Sequence, residues 1–306
     1  MIKINMIFLV LLLTVTTFLS GCKTFDGNES VSFSPKAQQP KVQQFEDSMS
    51  NSKSEATNEV KISYSLADTQ FSLHQPIILN FAVKNGLAQS VNLDLGQDRK
   101  EGFLFVVTLP NGKRIQLPQL RKDGISRIGT LSLEPQQTYT QRLLLNEWIE
   151  FTSSGKYEIE VRLANPIRTD DGKIVASDSS FHTTLEIGER NPEHLKQISE
   201  RLFQRIAESN TFEEASEAAL ALSYVKDPIA VPYLEKALAS GKMVEPIIIA
   251  GLTRIADKNS VQALIHAVKE KPESEVAILS RSALSSIESQ SADPKLKEMI
   301  KIALLP

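Results

Sequence analysis

The apolar residues of this chain change their spacing once, near residue 190, and that change limits what each half can become. Before it they alternate with polar residues: Ile62, Tyr64 and Leu66, then Ile77, Leu79, Phe81 and Val83 up to Asn85-Gly86, then Val91, Leu93 and Leu95, then Phe103, Phe105 and Val107. Alternation turns one face of an extended segment inward and leaves the other in water, so these segments read as strands. Pro110-Asn111-Gly112 reads as a hairpin turn, because Pro presets φ and Gly accepts a positive value. Leu131 and Leu133, Tyr139 to Leu145, and Tyr157, Ile159, Val161 and Leu163 continue the pattern, and Asp170-Asp171-Gly172 turns the chain before Thr184 to Ile187. Roughly seven to nine short strands at these intervals predict an antiparallel β-sandwich over residues 59–188.

After residue 190 the period becomes helical. Asn191-Pro192-Glu193 has the form of a helix start, with Pro at the first position and an acid beside it. Leu222, Val225, Asp227, Val231, Leu234, Ala237 and Leu238 recur about 30 residues later as Leu252, Ile255, Asp257, Val261, Leu264, Ala267 and Val268. A weaker third copy begins at Ala283, Leu284 and Ile287, and helices from Leu195 to Ala207 and from Lys295 to Leu305 would cap the stack. Asp at each turn can accept from the free N–H groups of the next helix. Small residues at Ala218, Ala219, Ala221 and Gly251 allow close approach between helices. These units resemble HEAT repeats, which implies a short α-solenoid over residues 189–306 whose units depend on one another for burial. The fold class is therefore all-β plus all-α.

Gly155-Lys156-Tyr157, opening an alternating strand, resembles the tyrosine corner of immunoglobulin-like and fibronectin-like domains, where the Tyr hydroxyl bonds back to the preceding backbone. The resemblance implies an Ig-like sandwich. Phe71-Ser72-Leu73-His74-Gln75-Pro76-Ile77, read as a strand, with Val83-Lys84-Asn85 and Leu93-Asp94-Leu95, is loosely similar to the intracellular proteinase inhibitor family. Trp148, the only Trp, is expected to close one end of the sandwich core rather than to stand exposed as a binding anchor.

At the N-terminus, Lys3 precedes an apolar core from Ile7 to Leu13, followed by Leu19-Ser20-Gly21-Cys22 with the only Cys of the chain. The apolar stretch is short against the roughly 20 residues a bilayer span needs, and charge begins at Lys23. The layout is that of a secretory signal over residues 1–21. The last four residues resemble the lipobox of bacterial lipoproteins. That resemblance implies cleavage between Gly21 and Cys22, diacylglycerol on the Cys22 sulfur and an acylated amine. Acyl chains hold at roughly 0.8 kcal/mol per buried methylene, so several hold firmly. Residues 22–58 read as the lipidated Cys and a polar linker, rich in Ser, Gln, Asn and Lys with Pro35 and Pro40. About 36 flexible residues span roughly 35 Å on average. Lys23 is not the Asp that marks inner-membrane retention in well-studied Gram-negative lipoproteins, so the outer membrane facing the periplasm is the expected location.

Net charge is −3, and cleavage removes only Lys3, taking it to −4. That balance leaves no basic surplus for phosphate contacts, so nucleic acid is not an expected partner. His74, His182, His194 and His266 are dispersed without metal-ligand spacing, and no HExxH, GxSxG or phosphate-cradling loop is present. Asp170, Asp171 and Asp178 are open to calcium through oxygens or, more simply, to turn chemistry. Ser50-Asn51-Ser52-Lys53 has the bare S-x-x-K pattern without companions. Neither a cofactor, a metal nor an enzymatic activity is expected. The expectation is a membrane-tethered envelope protein that binds an unidentified envelope protein, with Tyr233, Lys236, His266 and Lys269 as contacts on the second helices of the repeats. The alternative is a proteinase inhibitor acting through sandwich loops.

Overall fold

The computed structural model describes residues 58–96, 100–118, 129–176 and 180–305. The signal-like stretch, Cys22, the linker and Asp178 lie outside them.

Twelve strands form among the described residues: β1 Val60–Leu66, β2 Gln70–Ser72, β3 Ile78–Asn85, β4 Val91–Asp94, β5 Phe103–Thr108, β6 Arg114–Gln116, β7 Thr130–Leu133, β8 Thr138–Leu144, β9 Gly155–Leu163, β10 Ile167–Thr169, β11 Ile174–Ala176 and β12 Phe181–Gly188. They make three sheets, ordered β1-β3-β8, β11-β10-β4-β7 and β2-β12-β9-β5-β6. Every pairing is antiparallel except β2 with β12, which is parallel. The count exceeds the seven to nine expected because β2, β6, β10 and β11 have three residues each, too few to display alternation. The Phe71–Ile77 stretch is likewise not one strand. It leaves β2 at Ser72 and turns, with Gln75 N–H donating to the Ser72 carbonyl and His74 at φ 71°. Pro76, which lacks an N–H, precedes the next strand.

The alternating residues face one core. Leu79, Phe81 and Val83 of β3, Phe103, Phe105 and Val107 of β5, and Tyr157, Ile159 and Val161 of β9 are all buried in it. The Phe81 and Phe103 rings meet edge to face at 4.9 Å, a favoured arrangement of ring quadrupoles. Trp148 is buried beside Phe105 at 4.8 Å, the packing role read from its position. Buried Asn85 is fully used: its amide donates to the carbonyls of Leu133 and Gln89 while its oxygen accepts from Leu87 N–H. This fastens the end of β3 to β7. The Tyr157 hydroxyl donates to the Ser153 carbonyl at 2.9 Å, so the corner bond expected from Gly-Lys-Tyr is formed. Gly155, at φ 135°, starts β9 against the Pro110 ring, which a Cβ would meet at 2.8 Å.

Seven α-helices follow: α1 Pro192–Glu208, α2 Phe212–Ser223, α3 Val231–Leu238, α4 Glu245–Ile255, α5 Lys258–Glu270, α6 Glu275–Gln290 and α7 Pro294–Leu304. Helices α2, α4 and α6 neighbour one another in one layer, and α1, α3, α5 and α7 in the other. Asn191, Thr211, Asp257, Ser274 and Asp293 cap five of them by accepting from backbone N–H groups. Asp227 does the same for the 3-10 turn Pro228–Ala230 that leads into α3. The third repeat is blurred in sequence because α6 runs to 16 residues where α4 has 11, which displaces Asp293 from the 30-residue register. Gly251 sits against Ser223 of α2, where a Cβ would lie 2.8 Å from the Ser223 Cα.

Two substitutions test these local arguments. Tyr157→Phe should cost about 1–2 kcal/mol in chemical denaturation, because it strands the Ser153 carbonyl at the corner. Gly251→Ala should cost about 1–3 kcal/mol through overpacking against backbone, despite the better helix propensity of Ala.

Candidate interaction surfaces

Only Glu189, Arg190 and Asn191 separate β12 from α1, so the joint between sandwich and helices is short. It is also densely bonded. Arg190 reaches Asp227 with two guanidinium nitrogens, Nε to Oδ2 at 2.5 Å and a second nitrogen to Oδ1 at 3.1 Å. Asn191 N–H donates to the Ser72 hydroxyl at 2.9 Å, and a His194 ring nitrogen lies 3.1 Å from the Gln75 side-chain oxygen. Lys226 pairs with Glu150, Arg142 of β8 pairs with Glu217 of α2, and Ile78 packs on the helical core. Within the helices beside the joint, the Arg254 guanidinium stacks over the Tyr224 ring at 3.9 Å and donates to the Ser223 carbonyl. Residues 72–75, which carry part of the inhibitor resemblance, are thus engaged by the first helix.

Asp227 is the buried member of the joint, 2% exposed against 48% for Arg190. Burial opposes its ionisation. The hydrogen bonds from Arg190 and Ile229 N–H and the charge of Arg190 outweigh that penalty and hold the carboxyl below its ordinary value. The bidentate geometry suits a planar guanidinium and not an ammonium.

The helix residues singled out from sequence fall on one layer. Tyr233 of α3 is half-buried against the helical core, and the exposed Lys236 places its ammonium 5.5 Å from the Tyr233 ring and 5.8 Å from that of Phe203 on α1. His266 and Lys269 are exposed on α5, the next helix of that layer. Tyr233 therefore supports Lys236 and offers little surface of its own.

Sequence reasoning passed over a second set. Phe212, Met243, Ile278 and Leu305 are 50, 70, 60 and 70% exposed. All lie where a helix of the α1/α3/α5/α7 layer ends or a helix of the α2/α4/α6 layer begins. Because the layers run antiparallel, these four belong to one edge of the stack, opposite the turns that hold Tyr224, Lys226 and Asp227. Lys242 ties two of its loops by donating to the Ser209 carbonyl at 2.9 Å. Met243 is held there at φ 58°, uncommon for a residue with a Cβ. The signal available in sequence, for Phe212 and Ile278, was an apolar residue at a helix's first turn, out of phase with the buried stripe.

The solvent face of the five-stranded sheet holds an open groove of about 710 Å³, lined by Thr108, Arg114, Glu158, Glu160, His182 and Glu186 among others. Arg114 is paired with Glu160 at 2.8 Å, and the remainder is a solvated polar sheet face. Asp170 accepts from the Asn92 amide and Asp171 from the Thr169 hydroxyl, so turn and cross-strand bonds account for both. Among the described residues no group of three or more His, Cys, Asp or Glu could hold a metal ion, and no helix is long and apolar enough to cross a membrane.

No family model and no curated protein matches the chain. Solved structures with some likeness include the CARDB domain of a Pyrococcus furiosus protein in complex with di-metal ions, 11% identical, covering 44% of this chain and 94% of that one at a TM-score of 0.25. A Listeria innocua β-glucosidase in complex with isofagomine is 11% identical over 44% of this chain and 17% of its own, at 0.24. Escherichia coli α-2-macroglobulin is 11% identical over 80% of this chain and 22% of its own, at 0.25. The chain thus spans about a fifth of the two larger proteins. At such TM-scores these likenesses carry no argument, and the fold rests on the strands and helices themselves.

Since Asp227 ionises below its unfolded value of about 3.9, the stability it contributes is present above that pH and is lost as pH falls through its folded value. Asp227→Ala should remove about 1–2 kcal/mol through the lost cap alone. It should also flatten the acid limb of a stability-versus-pH curve relative to wild type, measured by urea denaturation between about pH 2 and 6.

Proposed function

We propose that this chain is a lipid-anchored, non-catalytic interaction protein of the bacterial cell envelope, held at the outer membrane facing the periplasm. The observation that carries the reading is the joint. A three-residue connection whose Arg190 grips buried Asp227 of the helices, with Asn191 N–H on Ser72 and the Arg142–Glu217 and Lys226–Glu150 pairs crossing beside it, joins the stack to the sandwich. A joint bonded at several points suits a scaffold, because a preorganised surface loses less freedom on binding. Leu19-Ser20-Gly21-Cys22 supports the anchor and its place in the envelope. The linker after Cys22 supports reach away from the membrane, and Lys236, His266 and Lys269 are contacts for an envelope protein partner. Assigning a binding role to a solenoid is reasoning by fold, so it stands on the experiment.

Mass spectrometry of the mature N-terminus should find Cys22 as the first residue, carrying diacylglycerol and an acylated amine, and Cys22→Ala should leave an uncut, unlipidated chain. An unmodified or uncut wild-type N-terminus refutes the anchor. Pull-down of the intact protein from detergent-solubilised envelopes should recover a partner at sub-stoichiometric level or above, and Lys236→Glu with Lys269→Glu should weaken that recovery. Recovery of no partner refutes the interaction role.

A further inference from the structure

The sequence contains two Asn-Gly pairs, Asn85-Gly86 and Asn111-Gly112. A glycine after asparagine leaves its backbone nitrogen open to the asparagine side chain, because there is no Cβ to crowd the approach. The fold treats the two pairs differently. Asn85 is fully buried, and its side chain is held at every polar atom, by the Gln89 and Leu133 carbonyls on the amide nitrogen and by Leu87 N–H on the oxygen. Gly86 N–H donates to the Glu59 carbonyl at 3.0 Å, so both members of that pair are fixed. Asn111 is exposed in the turn between β5 and β6. Its oxygen accepts from Lys113 N–H at 3.0 Å, and among the described residues no hydrogen bond holds its amide nitrogen. Gly112 stands at φ 79°, with nothing beyond its chain neighbours within 4 Å of where a Cβ would lie. One turn bond, Gly112 N–H to the Leu109 carbonyl at 2.9 Å, occupies the backbone nitrogen.

We infer that Asn111 is a site of spontaneous deamidation in the folded chain, through a succinimide closed by the Gly112 backbone nitrogen, while the fold protects Asn85. The nitrogen gives its proton to solvent and attacks the Asn111 Cγ. A new C–N bond closes the ring, the Cγ–Nδ2 bond breaks, and ammonia leaves with a proton taken from solvent. Lys113 N–H already donates to the oxygen that gains negative charge in this attack, the placement that stabilises a developing oxyanion. Water then opens the ring at either carbonyl, giving aspartate or isoaspartate. Overall water enters and ammonia leaves, with no oxidation or reduction. The turn from Thr169 to Lys173 shows which product fits. Gly172 N–H donates to the Thr169 carbonyl and Thr169 N–H to the Lys173 carbonyl, both at 2.9 Å, as Gly112 does to Leu109 and Leu109 to Lys113. Asp171 stands there where the first turn has Asn111, so aspartate is accommodated. Asp171 itself is spared. The Thr169 hydroxyl and Lys173 N–H hold its carboxyl below the ordinary value, and an ionised carboxylate offers no leaving group. Isoaspartate instead routes the backbone through the side-chain methylene, which lengthens the turn and draws Lys113 away from Leu109. β6 is a three-residue edge strand whose ladder runs to β5 alone, so it is the element such a turn releases. The inference rests on neither the anchor nor the interaction reading.

The test ages the full purified chain in warm, mildly alkaline buffer made with heavy-oxygen water, with the same chain in urea beside it. Peptide mapping by mass spectrometry then follows each Asn-Gly pair. The Asn111 peptide of the folded chain should take up heavy oxygen and resolve into aspartate and isoaspartate forms. The ratio of Asn111 to Asn85 conversion should be roughly tenfold or more higher in the folded chain than in urea, because Asn85 reacts only when the end of β3 opens and Asn111 when one exposed turn bond does. Hydrogen exchange reads the consequence at the Leu117 amide, which donates to the Phe105 carbonyl at 2.9 Å just past β6. That amide should exchange faster in the isoaspartate fraction and at the unaged rate in Asn111→Asp. A conversion ratio that does not rise on folding overturns the site. So does an Asn111 peptide that stays intact in the folded chain while it converts in urea. An isoaspartate fraction whose Leu117 amide exchanges as slowly as that of the unaged chain overturns the release of β6.

Discussion

The ion pair of Arg190 with Asp227 fastens the connection between the two halves of the molecule to the helices. A carboxylate covered to that degree is costly unless it is both paired and hydrogen-bonded. Here the guanidinium supplies two bonds and the Ile229 N–H a third, so the charge is matched. The same Asp caps the turn into α3, which makes one residue serve the helical repeat and the joint together. Its repeat counterpart Asp257 keeps only the capping role, accepting from Ser260 N–H. A periodic position has thus been given an extra task where the stack meets another domain.

The remaining joint contacts are peripheral and polar. Lys226 with Glu150 and Arg142 with Glu217 are partly exposed pairs, the kind that solvent and salt screen. They orient the surfaces more than they hold them. Ile78 adds apolar contact, and the Ser72 hydroxyl accepts from the linker backbone at Asn191. Orientation between the halves follows from many such small terms around one buried charge. At the opposite edge the same helices expose apolar side chains at Phe212, Met243, Ile278 and Leu305. Both ends of the stack are thereby distinguished by the direction in which its helices run.

Much of the fold was legible in the chain. Alternation at Leu79, Phe81 and Val83 and at Tyr157, Ile159 and Val161 predicts the buried face of β3 and β9, because a pleated strand has no other way to sort its side chains. Asn191-Pro192 predicts the start of α1, and Asp227 and Asp257 predict caps, because those side chains satisfy backbone donors locally. The three-residue strands were not legible, since their existence depends on a neighbour already in place. Lys236 and Lys269 were singled out as contacts on a helix face. That the Lys236 ammonium sits over the rings of Tyr233 and of Phe203 on α1 emerges only when the helices are assembled.

Residue order by itself determined which longer segments become strands or helices, where α1 and α5 are capped and which strand faces are buried, because those outcomes depend on side chains within a few positions of one another. Tertiary structure alone decided that Phe212, Met243, Ile278 and Leu305 share an edge, that Asp227 meets Arg190, and that the strand after residue 70 runs parallel to β12. Those are meetings between residues tens of positions apart, and their geometry is set by how whole layers pack and not by any local preference.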